Sequence, residues 1–165
     1  MIKAIETTYK GYRFRSRLEA KWSIYFDVCG IAWEYEVEGF DLGDAGYYLP
    51  DFWLPQVNGW AEVKGRTFTP EEENKCKVLA AQSGCIVYML PGLPDNRWYE
   101  GYEPNGACEL FGITDYHGYH IGEQRFYCCP GCPTPDDEGV LTSKAKAAIN
   151  AARSARFEHG ENGAR

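Results

Sequence analysis

Along the first ninety residues the apolar positions change their period several times, and each change marks an element. Ser16-Arg17-Leu18-Glu19 has the S-x-x-E form of a capping box, and Leu18, Trp22, Tyr25, Phe26 and Cys29 follow at helical spacing until Gly30 ends the pattern. A helix is predicted there. From Ile31 to Val37 apolar and polar residues alternate among strong β-formers, which predicts a strand with one face buried. Gly39, Gly43, Asp44 and Gly46 then turn the chain, as a hairpin, into Tyr47-Tyr48-Leu49 and on to Phe52-Trp53-Leu54. Pro50 and Pro55 keep that strand short, because proline has no N–H for a ladder. Asn58-Gly59 is a tight-turn signal before a strand from Trp60 to Lys64 that ends at Gly65. Thr69-Pro70-Glu71-Glu72 opens a second helix, with a capping hydroxyl, a first-turn proline and acids at the positive dipole end. It should run to Ser83 and stop at Gly84. Cys85 to Leu90 is a continuous apolar run, the form of a strand buried on both faces.

Helix, antiparallel strands, helix and a central strand make an α/β sandwich. Beyond Pro91 the pattern weakens. Pro, Gly, Asn and Asp are frequent as far as Gly106, one or two short strands such as Glu109–Ile113 follow, and Thr142 to Phe157 reads as an Ala-rich helix. The expected organisation is a core over 1–92 and an extension over 93–165, loop-rich and closed by that helix.

The chain has 165 residues, the size of one domain, and its 44% hydrophobic and 15% aromatic content exclude a disordered protein. No apolar run approaches the roughly 20 residues that span a membrane, and Met1 to Glu6 lacks the apolar stretch of a signal peptide. A soluble cytoplasmic protein with no membrane partner is expected. Of the seven cysteines, Cys29, Cys76 and Cys85 lie in apolar periodic segments, so buried thiols in a reducing compartment fit better than a secreted disulfide scaffold.

Net charge is −7, which by itself argues against nucleic acid as partner. The distribution changes that reading. Residues 1–30 hold six basic side chains against three acidic ones, whereas residues 31–64 hold seven acids and only Lys64. Acids that bind a divalent metal reverse their electrostatic role in use.

Asp51 opens the strand that contains Phe52, while Glu62 and Lys64 alternate around Val63 and so project from one face. A hairpin through Asn58-Gly59 brings Asp51 to the same sheet end as Glu62 and Lys64. Two carboxylates and the Val63 backbone carbonyl make a hard oxygen site suited to Mg²⁺ or Mn²⁺, and Lys64 beside it suits the activation of water and the stabilisation of phosphorane charge. The chemistry is hydrolysis of a phosphodiester. Taken singly, an E-x-K triplet also fits a solvated strand face, Pro-Asp a turn, and Glu19 a capping role at the third helical position.

Taken together and in order, Tyr12-Arg13-Phe14-Arg15-Ser16-Arg17-Leu18-Glu19, Gly30-Ile31-Ala32-Trp33-Glu34-Tyr35-Glu36, Leu49-Pro50-Asp51-Phe52-Trp53-Leu54-Pro55 and Ala61-Glu62-Val63-Lys64-Gly65 resemble the PD-(D/E)XK nuclease superfamily. Within it they are most like the bacteriophage endonuclease I type of Holliday-junction-resolving enzyme, with its R-S-x-L-E, G-I-x-x-E-Y-E, P-D-F-x-L-P and E-x-K-G segments. The likeness covers residues 9–65. It implies a restriction-endonuclease-like core, a central mixed sheet flanked by helices, with Glu19, Asp51 and Glu62 as metal-binding acids and Lys64 as the catalytic lysine. The implied activity is metal-dependent DNA endonuclease cleavage, structure-selective on branched DNA, in the host cytoplasm if the chain is phage-encoded. A homodimer is implied as well, because such resolving enzymes intertwine through a strand before the helix. The alternatives are a non-catalytic nucleic-acid-binding protein on the same scaffold and an exonuclease or restriction-like nuclease.

Arg13, Arg15 and Arg17, just before or within the helix start, are candidates to grip DNA phosphates flanking the scissile bond; a solvated basic edge is the alternative. On the last helix Lys144, Lys146, Arg153 and Arg156 fit a solvated face better than a DNA contact. His117-x-x-His120 and Cys129-x-x-Cys132 have zinc-ligand spacing and are candidates for a structural Zn²⁺, although C-P-x-C also serves as a plain turn.

Overall fold

Ser16 accepts a hydrogen bond at Oγ from the Glu19 N–H at 3.2 Å, and Gly30 closes the other end in the left-handed region at φ 74°, so the first helix, α1, runs Arg17–Cys29. The structure is a computed structural model and describes residues 4–95, 97–112 and 143–157. Two strands precede α1, β1 (Thr7–Tyr9) and β2 (Tyr12–Phe14). They pair antiparallel across Lys10 and Gly11, both at positive φ, the backbone of a two-residue hairpin turn.

The chain is α/β, with a six-stranded mixed sheet and three α-helices among the described residues. After β3 (Glu34–Tyr35) come β4 (Phe40–Asp41) and β5 (Tyr47–Tyr48), then β6 (Phe52–Leu54) and β7 (Gly59–Lys64). The helix α2 (Pro70–Ser83) leads to β8 (Ile86–Pro91), β9 (Trp98–Tyr102), β10 (Cys108–Gly112) and α3 (Ser143–Ser154). The central sheet has the order β10-β9-β8-β7-β6-β3. β7 and β8 are parallel, joined through α2, and every other pair is antiparallel. None of the described helices is long and apolar enough to cross a membrane.

Alternation along β7 and β8 divides two cores. Ala61, Val63, Tyr88 and Leu90 face α1 and α3, together with Phe52 and Leu54. Trp60, Val87 and Met89 face α2, whose Cys76, Leu79 and Ala80 are buried against them. Aromatic rings pin α1 to its face: Phe26 meets Phe52 edge-on at 5.4 Å, and the fully buried Trp22 meets Tyr99 at 5.6 Å. α3 packs against α1, with Ala145, Ala148 and Ala152 all fully buried, and small side chains let the two helices approach closely. One residue ties these layers to the sheet. Gly92, at φ 76°, accepts from the Trp22 indole N–H at 2.9 Å and donates to the Lys64 carbonyl at 2.7 Å.

Several expectations need correction. The strand foreseen over Ile31–Val37 shrinks to two residues, because Glu36 turns the chain at φ 47° and gives its N–H to the Asp51 carbonyl at 2.9 Å. Tyr47-Tyr48 does not run on into Phe52. It pairs with Phe40-Asp41 in a separate small sheet, and only Phe52–Leu54, beyond Pro50, enters the central one. A 3-10 turn over Pro55–Val57, with Asn58 left-handed, makes the connection from β6 to β7 longer than a two-residue turn. Cys29 and Cys76 are buried as expected, and Cys85 is half-buried. β1, β2 and β9 were not foreseen, and β9 and β10 extend the sheet begun by the residues before 92.

Candidate active site

The last ladder pair between β6 and β7 is Phe52 with Ala61, and one step further sets Asp51 opposite Glu62. The ladder continues there through a side chain: Asp51 Oδ2 accepts the Val63 N–H at 2.8 Å. Because N–H and C=O of one strand residue point to the same side, the Val63 carbonyl is directed toward Asp51 as well. Glu62 and Lys64 share the α2 face of β7, and Lys64 Nζ lies 2.5 Å from Glu62 Oε1.

Glu19 arrives from the start of α1. Its carboxylate accepts from Ser16 Oγ at 2.7 Å, from the Arg15 N–H at 3.2 Å and from the Tyr35 hydroxyl. The cap foreseen here is therefore half formed. Ser16 caps the helix, but Glu19 does not return to the Ser16 N–H and is aimed sideways toward β3. The complete reciprocal capping box belongs to α2, where Thr69 and Glu72 exchange both bonds.

These side chains line one cleft of about 480 Å³, together with Arg15, Tyr47, Tyr48, Leu49, Glu72 and Lys75. Glu19, Asp51 and Glu62 are its buried floor, at 8%, 5% and 4% exposure. Burial, and then the charges of Glu62 and Glu19, push Asp51 well above the usual carboxylate range, against the opposing Val63 N–H and Lys64. Burial raises Glu62 also, with Lys64 holding it back. Lys64 moves the other way from what burial alone dictates: Glu62 and Asp51 outweigh desolvation and keep its ammonium charged to higher pH. The Tyr48 hydroxyl approaches Glu62 without a well-formed hydrogen bond, and Glu62 Oε2 remains buried and unsatisfied. At the rim Arg15 pairs with Glu36 and lies 4.0 Å from Asp51 Oδ1.

Among the described residues no three carboxylate, histidine or cysteine side chains converge into a ready coordination sphere. The three acids line the cleft without closing on one point, as like charges do, with Lys64, Arg15 and Lys75 as the cationic side chains of the same lining. Of the basic trio, Arg15 enters this cleft, Arg13 pairs with Glu6 across the β1–β2 hairpin, and Arg17 faces a different cavity. His117, His120, Cys129 and Cys132 lie outside the described residues, as does the side chain of Lys144. Tyr35, Tyr48, Glu72 and Lys75 were missed as neighbours of the site. Glu72 and Lys75 had a faint signal, three apart on a helix whose start follows Lys64 by only a few residues. Comparison with protein-family models, with curated proteins and with solved structures finds no match for this chain.

Proposed function

We propose that the chain is a divalent-metal-dependent nuclease that hydrolyses DNA phosphodiester bonds, built on a restriction-endonuclease-like core and selective for branched DNA. One observation carries the reading: three carboxylates from three separate elements are buried along one cleft beside a lysine and an arginine, an arrangement that costs folding energy unless a cation and an anionic substrate use it. The donor set fits a hard cation, since the groups are all oxygen and Glu62 Oε2 is buried without a partner. Asp51, Glu62 and the Val63 carbonyl, with Glu19, would hold Mg²⁺ or Mn²⁺. When bound, that ion supplies Lewis acidity and lowers the pKa of coordinated water.

The chain's own residues do the rest. Val63 N–H fixes one oxygen of Asp51, and Ser16, Arg15 N–H and Tyr35 fix Glu19, so both acids are held before substrate arrives. Lys64, charged in the free protein, stabilises negative charge as it grows on the phosphoryl oxygens and orients the attacking water. Arg15, half out in solvent at the rim, meets the phosphate that enters.

Supercoiled, linear, single-stranded and four-way-junction DNA, incubated with Mg²⁺, Mn²⁺ or EDTA, test the reading. Cleavage should require the metal, favour the junction, and fall by about 10³-fold or more in Asp51→Asn and Lys64→Ala with the fold retained. Metal-independent cleavage, or unchanged rates in both variants, refutes it.

A further inference from the structure

α1 is a wall with a different chemistry on each side. At about 100° per residue, Glu19 and Lys21 point to nearly opposite sides of the helix, while Arg17 and Lys21, four apart, share one. Glu19 belongs to the carboxylate cleft. Arg17 and Lys21 line a second cavity of about 400 Å³ with Arg153, Arg156 and Phe157, from the end of α3 and the residues after it.

No acid is among the described residues lining that cavity. Among the described residues Asp95 pairs with one of these cations, its Oδ2 3.0 Å from Arg153 Nη2, while the cavity lining itself carries four cationic side chains in a chain whose net charge is −7. The frame is rigid: Lys21 Nζ donates to the Arg153 carbonyl at 2.9 Å, and Arg153 Nε donates to the Pro94 carbonyl at 2.9 Å. Arg17 Nε is buried without a hydrogen-bond acceptor. Burial lowers the pKa of Lys21, and the neighbouring Arg17 and Arg153 charges lower it further.

We propose that this second cavity binds a backbone phosphate of the DNA whose scissile phosphate enters the carboxylate cleft. This rests on the nuclease reading. Arg15 and Arg17 are two residues apart, so their Cα atoms are within about 7 Å, and phosphates follow one another at about 3.4 Å along a strand axis. Both cavities are thus within a few nucleotides of each other, on opposite flanks of one helix start. The unsatisfied Arg17 donor and the exposed Arg156 supply the charge-assisted contacts. A basic grip apart from the acidic floor also explains how a strongly acidic chain holds a polyanion.

The test is fluorescence anisotropy of a labelled DNA duplex against the full-length protein in EDTA, across a sodium chloride series. The comparison is wild type, Arg17→Gln with Arg156→Gln, Arg156→Gln alone, and Lys146→Gln, an exposed α3 lysine outside the cavity. The double variant should bind about tenfold or more weakly at 100 mM salt, with the slope of log K against log salt reduced by about 1–2, since each phosphate contact contributes about 0.9. Arg156→Gln alone, an exposed position where substitution costs little folding energy, should account for about one contact, and Lys146→Gln should stay within about threefold of wild type. Equal slopes in wild type and both cavity variants, an equal effect from Lys146→Gln, or absence of DNA binding overturns the proposal. So does variant-sensitive binding of inorganic phosphate by calorimetry with an unaltered DNA slope, which makes the cavity a small-anion site. Cavity-dependent binding without any cleavage would leave the phosphate site standing and refute the nuclease reading; cleavage with unaltered slopes would do the reverse.

Discussion

Asp51→Asn should make the metal-free protein more stable. The substitution is nearly isosteric, and an asparagine carbonyl can still accept the Val63 N–H that now donates to Asp51 at 2.8 Å, so the change removes charge and little else. Two attractions are lost, to the partly buried Lys64 ammonium and to Arg15. Arg15 lies 4.0 Å from Asp51, worth about 1 kcal/mol in water and about 4 kcal/mol at an effective dielectric of 20. The Arg15 side chain is 57% exposed and pairs with Glu36, which puts that loss near the lower figure. Against both stands the burial of a carboxylate at 5% exposure, several kcal/mol for an ion, and repulsion from Glu62 and Glu19. The balance favours the variant by about 1–2 kcal/mol, or roughly 2–8 °C in Tm for a chain of this length.

The pH dependence follows from the sign of the shift. A carboxyl whose folded pKa is raised contributes stability fully below its ordinary value near 3.9, and that contribution is lost as pH rises through the folded value. The gap between variant and wild type should be widest at neutral and alkaline pH and close toward about pH 4. Divalent metal should reverse the order, because saturation at a hundred times Kd adds about 2.7 kcal/mol to a protein that binds it, and the variant has lost a ligand. Differential scanning calorimetry in EDTA and across a Mg²⁺ titration measures both effects. A variant less stable than wild type in EDTA at pH 7.5, or Mg²⁺ raising both melting points equally, would refute the reasoning.

Glu19→Gln separates capping from catalysis. A glutamine at the third helical position keeps the hydrogen-bond acceptor, so unfolding free energy should fall by less than about 1 kcal/mol in urea, while DNA cleavage should drop at least about 100-fold; retained cleavage would assign Glu19 to structure alone. Gly101→Ala sets a Cβ 2.9 Å from the Phe111 ring and 3.0 Å from the Val87 carbonyl, both fully buried, and should cost about 1–3 kcal/mol by denaturant titration. Gly65→Ala, with nothing within 4 Å of the new Cβ, should stay within about 0.5 kcal/mol, and an equal loss in both would reject the packing argument.

Local signals made α1, α2, β7 and β8 legible, because caps and periodicity are written within each segment. Glu36 defeated the reading of β3: nothing in an alternating run announces that one residue adopts φ 47°. The hairpin before α1 has three-residue strands, too short for alternation to register. β9 was hidden by its surroundings, a Pro- and Asp-rich approach and a glycine at 101 in the middle of the strand. The cleft was legible as far as register reached. Asp51, Glu62 and Lys64 follow from one antiparallel pairing, whereas Glu72, Lys75 and Tyr48 arrive by a crossover helix and a separate small sheet, which pairing rules do not locate. The basic cavity was still less accessible. Arg17 and Arg153 are neighbours only because alanines on α3 dock against α1, a contact 132 residues apart between Lys21 and Arg153.

Gly92 joins the Trp22 indole, one turn past Glu19, to the backbone of Lys64. The two ends of the carboxylate cleft are thereby latched through a fully buried ring rather than through a surface loop. Separating the α1 wall from the Lys64 end along this link therefore means extracting Trp22 from the core. With the other four tryptophans replaced by Phe, Trp22 fluorescence would report on that link, and its quenching, proteolytic resistance and catalytic competence should change in a single cooperative transition.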